Sequence, residues 1–299
     1  MGKHAYLIMA HNHFETLSKI LSVLDDERND LFVHVDKKAG DFDRVILEQN
    51  VKKSGLIFVE RIDVVWGGFS QIECEMNLIK AVLRNGEYDY LHLISGADLP
   101  LKNQNDIHDF FDKNKGTEFV EYDKSQIEEK YMDRVRHAYR FQNVYGRNRK
   151  NPLMIVLFLF DKVSDRLQTL FKVNRVKNEN VIWQKGPNWF SITGEFARYL
   201  VSHEDFINRV FKYSVSGDEM FLQTVLVNSE YGKNVYKSGV DAADSPALRK
   251  IDWNRGAPYT FTYEDYDELI SDDNAMFARK FNPDTDNRII EAILEYVRM

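Results

Sequence analysis

The stretch Ala5-Tyr6-Leu7-Ile8-Met9-Ala10-His11-Asn12-His13 sets a short apolar run directly against polar residues, and an amphipathic segment, Phe14–Leu24, follows at once. A run of that length reads as a buried strand, and the periodicity of the next segment reads as a helix. The unit then recurs. Leu31–Val35, Leu56–Phe58, Tyr90–Leu93 and Phe119–Val120 read as strands, and Phe42–Glu48, Phe69–Arg84 and Gln104–Lys113 as the helices between them. Such alternation predicts an α/β fold with a mostly parallel central sheet, whose ligands sit beyond the carboxyl ends of the strands.

From Ile127 to Lys177 the chain becomes rich in Arg, Lys and aromatic residues around the apolar run Leu153–Phe160, and this is read as an excursion from the main fold. Beyond it, Asn188–Thr193 reads as a strand, Gly194–Val201 and Asp218–Val227 as helices, and the region near Arg288–Arg298 as a last helix. With no internal repeat or low-complexity tract, residues 1–299 are expected to form one domain.

A formal charge of −7 argues against a nucleic-acid partner, whose affinity would come from Lys and Arg neutralising phosphates. Any anionic ligand must meet a local basic site instead. The single cysteine, Cys74, allows no intrachain disulfide, which fits a reducing compartment such as the cytoplasm. No signal peptide is read at the N-terminus, and Leu153–Phe160 falls well short of the roughly 20 residues of a membrane-spanning helix.

Each predicted strand ends on something polar: His11-Asn12-His13 after the first, His34-Val35-Asp36-Lys37 at the second, and Ser95-Gly96-Ala97-Asp98 after Leu91–Ile94. Trp66-Gly67-Gly68 precedes the third helix. Ser216-Gly217-Asp218-Glu219 has the capping-box pattern, so Glu219 reads either as a helix-start residue or as a general base beside a pocket. The pairs Arg249-Lys250 and Arg279-Lys280 read either as solvated charge or as cations that converge on a diphosphate leaving group. A metal site is not expected. The matches to Asp-x-Asp, at Asp41/Asp43, Asp265/Asp267 and Asp284/Asp286, fall in helices or turns rather than at a central strand end.

In their order along the chain these landmarks resemble the core-2/I-branching N-acetylglucosaminyltransferase family (glycosyltransferase family 14), which includes the protein O-xylosyltransferases. The residues that carry the likeness are Ala5–Leu17, His34-Val35-Asp36, Val64–Ser70, Leu93–Lys102, Asp218-Glu219-x-Phe221 and Phe277-Ala278-Arg279-Lys280-Phe281. The resemblance implies a GT-A type, Rossmann-like nucleotide-sugar-binding fold, a UDP-sugar donor and inversion without a metal or other cofactor. It implies Glu219 as the catalytic base, Arg249 and Lys280 on the diphosphate, and Ala10, His11, Asp36, Trp66 and Asp98 around the donor. On the acceptor side it implies Glu121 and Asp218, with Trp189 and Phe190 offering aromatic planes; Lys130, Arg134 and Arg136 are placed there only loosely.

The membrane anchor and disulfides of the animal enzymes are not found in this sequence, which points to a microbial enzyme in surface or capsular polysaccharide synthesis. Its partners would then be a UDP-sugar, N-acetylglucosamine as first choice, and a glycan or lipid-linked glycan acceptor. Pro152–Phe171, with Arg147, Arg149, Lys150, Lys162, Arg166, Lys172 and Arg175 around it, reads either as an interfacial helix on the inner face of the cell membrane or as a helix packed in the core or at a dimer contact. Xylosyl or glucosyl transfer on the same scaffold is the alternative activity, and a non-catalytic sugar-binding protein the alternative of another class.

Overall fold

The structure, a computed structural model, describes residues 2–122, 127–148, 150–236 and 245–299. Its main sheet contains β1 (His4–Ala10), β2 (Asn29–Val35), β3 (Gly55–Phe58), β4 (Tyr90–Ser95), β6 (Phe119–Val120) and β7 (Phe190–Thr193), in the order β3-β2-β1-β4-β7-β6. The first four strands in that order are parallel, and β7 runs antiparallel to both of its neighbours. A mostly parallel sheet was expected, and the helices Phe14–Leu24 and Gln104–Lys113 begin and end where the periodicity places them.

Strand alternation divides the core between the two faces of this sheet. Tyr6, Ile8 and Ala10 of β1 point into one cluster, with Leu17, Ile107 and Ile290 from the helices on that side. Ala5 and Leu7 point into the other, with Ile72, Phe196 and Phe221. Both faces are covered, which is why the strands read as continuous apolar runs.

A second, three-stranded sheet was not expected. It joins β5 (Asp98–Pro100), β9 (Phe277–Arg279) and β8 (Arg249–Ile251) in the order β5-β9-β8. Its strands are three residues long, too short to show a period, and their pairing joins residues far apart in sequence. The sheet brings the C-terminal tail back to the carboxyl end of β4.

Arg249 fastens the two sheets together. Its side chain is 4 % exposed, its Nη2 donates to the carbonyls of Leu93 in β4 and Phe190 in β7, at 3.1 and 2.8 Å, and its guanidinium lies 4.4 Å from the centre of the Phe277 ring in β9. Further bonds run to Ser191 Oγ and the carbonyl of Ala247. Burial pushes the group down to about 9 from its ordinary value, against the opposing pull of Asp98. Replacing Arg249 with Met should strand these buried acceptors and lower stability by about 2–4 kcal/mol, since each unsatisfied buried group costs about 1–3 kcal/mol. Urea unfolding measures this, and a variant as stable as wild type would contradict it.

Candidate active site

The polar ends of β1, β2 and β4 meet at one edge of the main sheet. The carbonyl of Ala10 accepts from the Asp36 amide at 2.8 Å, and that of Met9 accepts from the Gly96 amide at 3.0 Å. Asp36, almost buried, caps the short 3-10 turn Lys37–Ala39 through the Lys38 amide and pairs with the Lys38 ammonium at 3.2 Å. Burial holds the His11 imidazole below its ordinary range; the negative charge of Asp36 opposes this, and the positive charge of Lys280 adds to it. The ends of the first two strands and the C-terminal tail thus act on a single ring, and Lys280 itself is exposed.

Asp98 fills the turn role that an aspartate after a strand commonly takes. Its carboxylate accepts from the Ser95 amide at 2.7 Å and the Ser95 hydroxyl at 3.0 Å, and it pairs with Arg279 at 3.2 Å. It is 2 % exposed, so it reaches a ligand only through Arg279, whose guanidinium lies 3.8 Å from the centre of the Trp189 ring. Arg249 departs further from expectation. Its terminal nitrogens face carbonyls and Ser191 between the sheets, so its expected convergence with Lys280 on a diphosphate is not seen; Lys280 is exposed, with Arg279 half-buried beside it.

Phe190 is a second correction. It is 1 % exposed, and Trp189, 9 % exposed, lies in the same core cluster, so neither ring is an open plane for a sugar. Trp66 is half exposed, with the Arg147 guanidinium stacked 3.4 Å from its ring centre. The loop that carries it depends on Gly67, at a φ of 69°, a left-handed conformation that a side chain would strain.

Glu219 lies in the 3-10 turn Gly217–Glu219 that precedes the helix Phe221–Val227, and the Ser216 amide at the start of this turn donates to the Gly67 carbonyl at 2.8 Å. The expected capping box does not form: Ser216 adopts a left-handed conformation and its side chain makes no cap bond. Glu219 instead turns outward and accepts from Arg134 Nη1 at 2.6 Å through Oε2, the only one of its two oxygens with a hydrogen bond among the described residues. Arg134, with Lys130 and Lys185, surrounds the ring of Tyr131. Gly186 donates its amide to the Glu219 carbonyl at 2.9 Å, and a Cβ there would lie 2.0 Å from the Glu121 carbonyl, so the chain passes between these two acidic residues only as glycine. Glu121 accepts from the Ser245 hydroxyl at 2.5 Å and borders an open cavity of about 400 Å³ that also reaches Arg249, Asp252 and Trp253 but neither Glu219 nor Lys280.

Behind Glu219 lie carboxyl groups of a different character. Asp218 accepts from Gln71 at 3.0 Å, while its Oδ1 and the Oε2 of fully buried Glu75 have no hydrogen-bond partner among the described residues. Burial, with the charge of Glu219 next, pushes Asp218 up to about 7; burial, with the charge of Asp218 next, raises Glu75 well above its usual range. Asp218 is therefore a buried support for the turn rather than an open substrate ligand. Gln71, Glu75 and Asn188, which approaches Glu75 at 3.5 Å, had no signal in the sequence beyond ordinary helical and loop positions.

The parallel strand ends and the tail folded over them belong to a mixed α/β fold with a mostly parallel central sheet. The chain belongs to the Core-2/I-Branching enzyme family, whose sequence profile matches residues 4–272. It is 22 % identical to Xylosyltransferase 2 of Rattus norvegicus over 97 % of its own length and 33 % of that protein's. It is 29 % identical to the N-acetyllactosaminide beta-1,6-N-acetylglucosaminyl-transferase of Mus musculus over 38 % of this chain and 29 % of the relative. The chain thus spans about a third of the length of the curated relatives it matches. Among solved structures, mouse Xyloside xylosyltransferase 1 superposes with a TM-score of 0.38 at 11 % identity, covering 92 % of this chain and 96 % of that one.

A carboxyl group raised in the native state costs stability as pH climbs from its unfolded value to its folded one, because the unfolded chain ionises first. For Asp218 that window runs from 3.8 to about 7. Asp218→Asn, which keeps an acceptor for Gln71, should therefore melt several degrees above wild type at pH 8 and show no such gain at pH 4. Equal differences at the two pH values would refute this.

Proposed function

We propose that the chain transfers a sugar from a UDP-sugar to a glycan hydroxyl by a single inverting displacement, with Glu219 as the base. The observation that carries this is the outward carboxylate of Glu219, oriented through one oxygen by Arg134 and unbonded at the other among the described residues, in a turn tied to the Trp66–Gly68 loop by the bond from the Ser216 amide to the Gly67 carbonyl. The acceptor hydroxyl gives its proton to the open Oε1 as its oxygen forms the new bond to the anomeric carbon. The bond from that carbon to the phosphate oxygen breaks with its electron pair, and UDP departs as the anion. An α-linked donor then yields a β-linked product.

Lys280, with Arg279 beside it, stabilises the charge growing on UDP, as cationic donors do when aimed at a leaving group. Their presence at the strand ends supports a reaction that needs no metal. So does the commitment of several carboxylates: Asp98 holds Ser95 and Arg279, Asp36 holds Lys38, Asp43 caps a helix and Asp265 caps Thr262. The donor is N-acetylglucosamine on this reading, and the acceptor a surface or capsular glycan precursor assembled in the cytoplasm. A xylosyl donor is the second reading, favoured by the match to Xylosyltransferase 2 over nearly the whole chain.

A panel of UDP-sugars assayed for UDP release decides the donor, and undiminished turnover in EDTA is expected. Glu219→Gln should lower turnover by about 10²–10⁴-fold, the range of general-base catalysis. Lys280→Ala should lower it by roughly 10²–10³-fold, as loss of one transition-state donor does. Near-normal turnover by Glu219→Gln would overturn the assignment.

A further inference from the structure

The helix Pro152–Leu170 is built inside out. An amphipathic helix on a soluble domain turns its apolar stripe to the core and its polar side to water. Here Asp161 is the one buried residue, and Asp161, Asp165 and Gln168 are the side chains that bond to the protein beneath the helix. Asp161 accepts from the Phe141 amide at 3.0 Å, and Asp165 binds the His137 ring and the Tyr139 hydroxyl, each at 2.8 Å. One turn on, Gln168 accepts from the Ala138 amide at 2.8 Å. The opposite face presents Val156, Leu159, Phe160, Val163, Leu167 and Leu170 to solvent, the last 72 % exposed, and Phe171 extends this face at 74 %.

Charge at this face runs against that of the whole chain. Residues 147–175 carry seven basic and two acidic side chains in a protein of net charge −7, and both acidic ones, Asp161 and Asp165, are turned inward. Arg147, Lys150, Lys162, Arg166 and Lys172 are exposed, and none forms an ion pair among the described residues; Arg149 lies outside them. Lys162 and Arg166, one turn apart, flank the apolar stripe.

We infer that this helix docks the chain on a lipid surface rich in anionic headgroups, its apolar stripe lying in the interface and the surrounding cations on the phosphates. Apolar area and attraction to anionic lipid are the two terms of such binding, and both are present on one face. A second copy of the chain fits less well, since a two-fold contact would set these unpaired cations against themselves. The stacking of Arg147 on Trp66 joins this face to the loop at the edge of the proposed donor site. The docking does not depend on which sugar that site transfers.

Flotation of the full chain with phosphatidylcholine vesicles, with and without phosphatidylglycerol, tests the inference. The wild-type chain should float only with the anionic vesicles, and raised salt should weaken it. Lys162→Gln with Arg166→Gln should weaken binding roughly 25-fold, since each cation near an anionic surface contributes about 1 kcal/mol. Leu159→Asp with Val163→Asp should abolish binding, with unchanged melting temperature and UDP-release activity in the absence of vesicles. Three results would overturn the inference: no flotation of the wild-type chain, flotation of both variants at wild-type level, or a dimer in sedimentation that the Leu159→Asp change dissociates.

Discussion

A guanidinium sealed between two sheets holds this molecule in shape. Arg249 reaches from the short C-terminal sheet to the carbonyls of β4 and β7 in the main one, and no water can take over those bonds at 4 % exposure. A buried charge is tolerated only where dense hydrogen bonding offsets its desolvation, and five protein acceptor contacts supply that here. Because β9 runs beside β8, fixing Arg249 also fixes Phe277–Arg279, and with it the place where Arg279 meets Asp98 and Lys280 emerges beside His11. The cations of the tail are thus positioned by a third cation that stays behind them.

The turn Gly217–Glu219 uses neighbouring carboxylates in contrary ways. Asp218 is buried against Gln71 and Glu75 and is raised to about 7, while Glu219, the next residue, faces outward onto Arg134. The 3-10 turn is what separates them: in a tight turn consecutive side chains diverge sharply. The support is costly, since two buried carboxyl groups lack partners among the described residues for one oxygen each.

What could be read in the sequence follows from how local the physics is. The main sheet and its helices were legible because burial on both faces leaves uninterrupted apolar runs, and Phe14–Leu24 shows its period in full. The strand-end residues Ala10, His11 and Asp36 were legible for the same reason, since a run must stop where it meets the cleft. Arg249 was not, because an arginine beside a lysine has the same spacing whether it points at a ligand or into the core. Trp189 and Phe190 read as aromatic planes at a strand end, and the burial of both, which spacing does not reveal, takes them out of that role. The capping box at Ser216 was a valid local pattern that the tertiary ion pair from Glu219 to Arg134 displaced.

The excursion at 127–177 shows the converse, where composition alone left two readings and side-chain direction favours one. An apolar helix with scattered charge is compatible with core packing, with self-association or with an interface. Core packing requires the apolar residues to be the inward ones, and here the inward positions are Asp161, Asp165 and Gln168. Self-association requires charges that cancel across the contact, and here they are of one sign and without ion pairs among the described residues. An anionic lipid surface asks for neither, and it accepts an apolar stripe and its basic margins together.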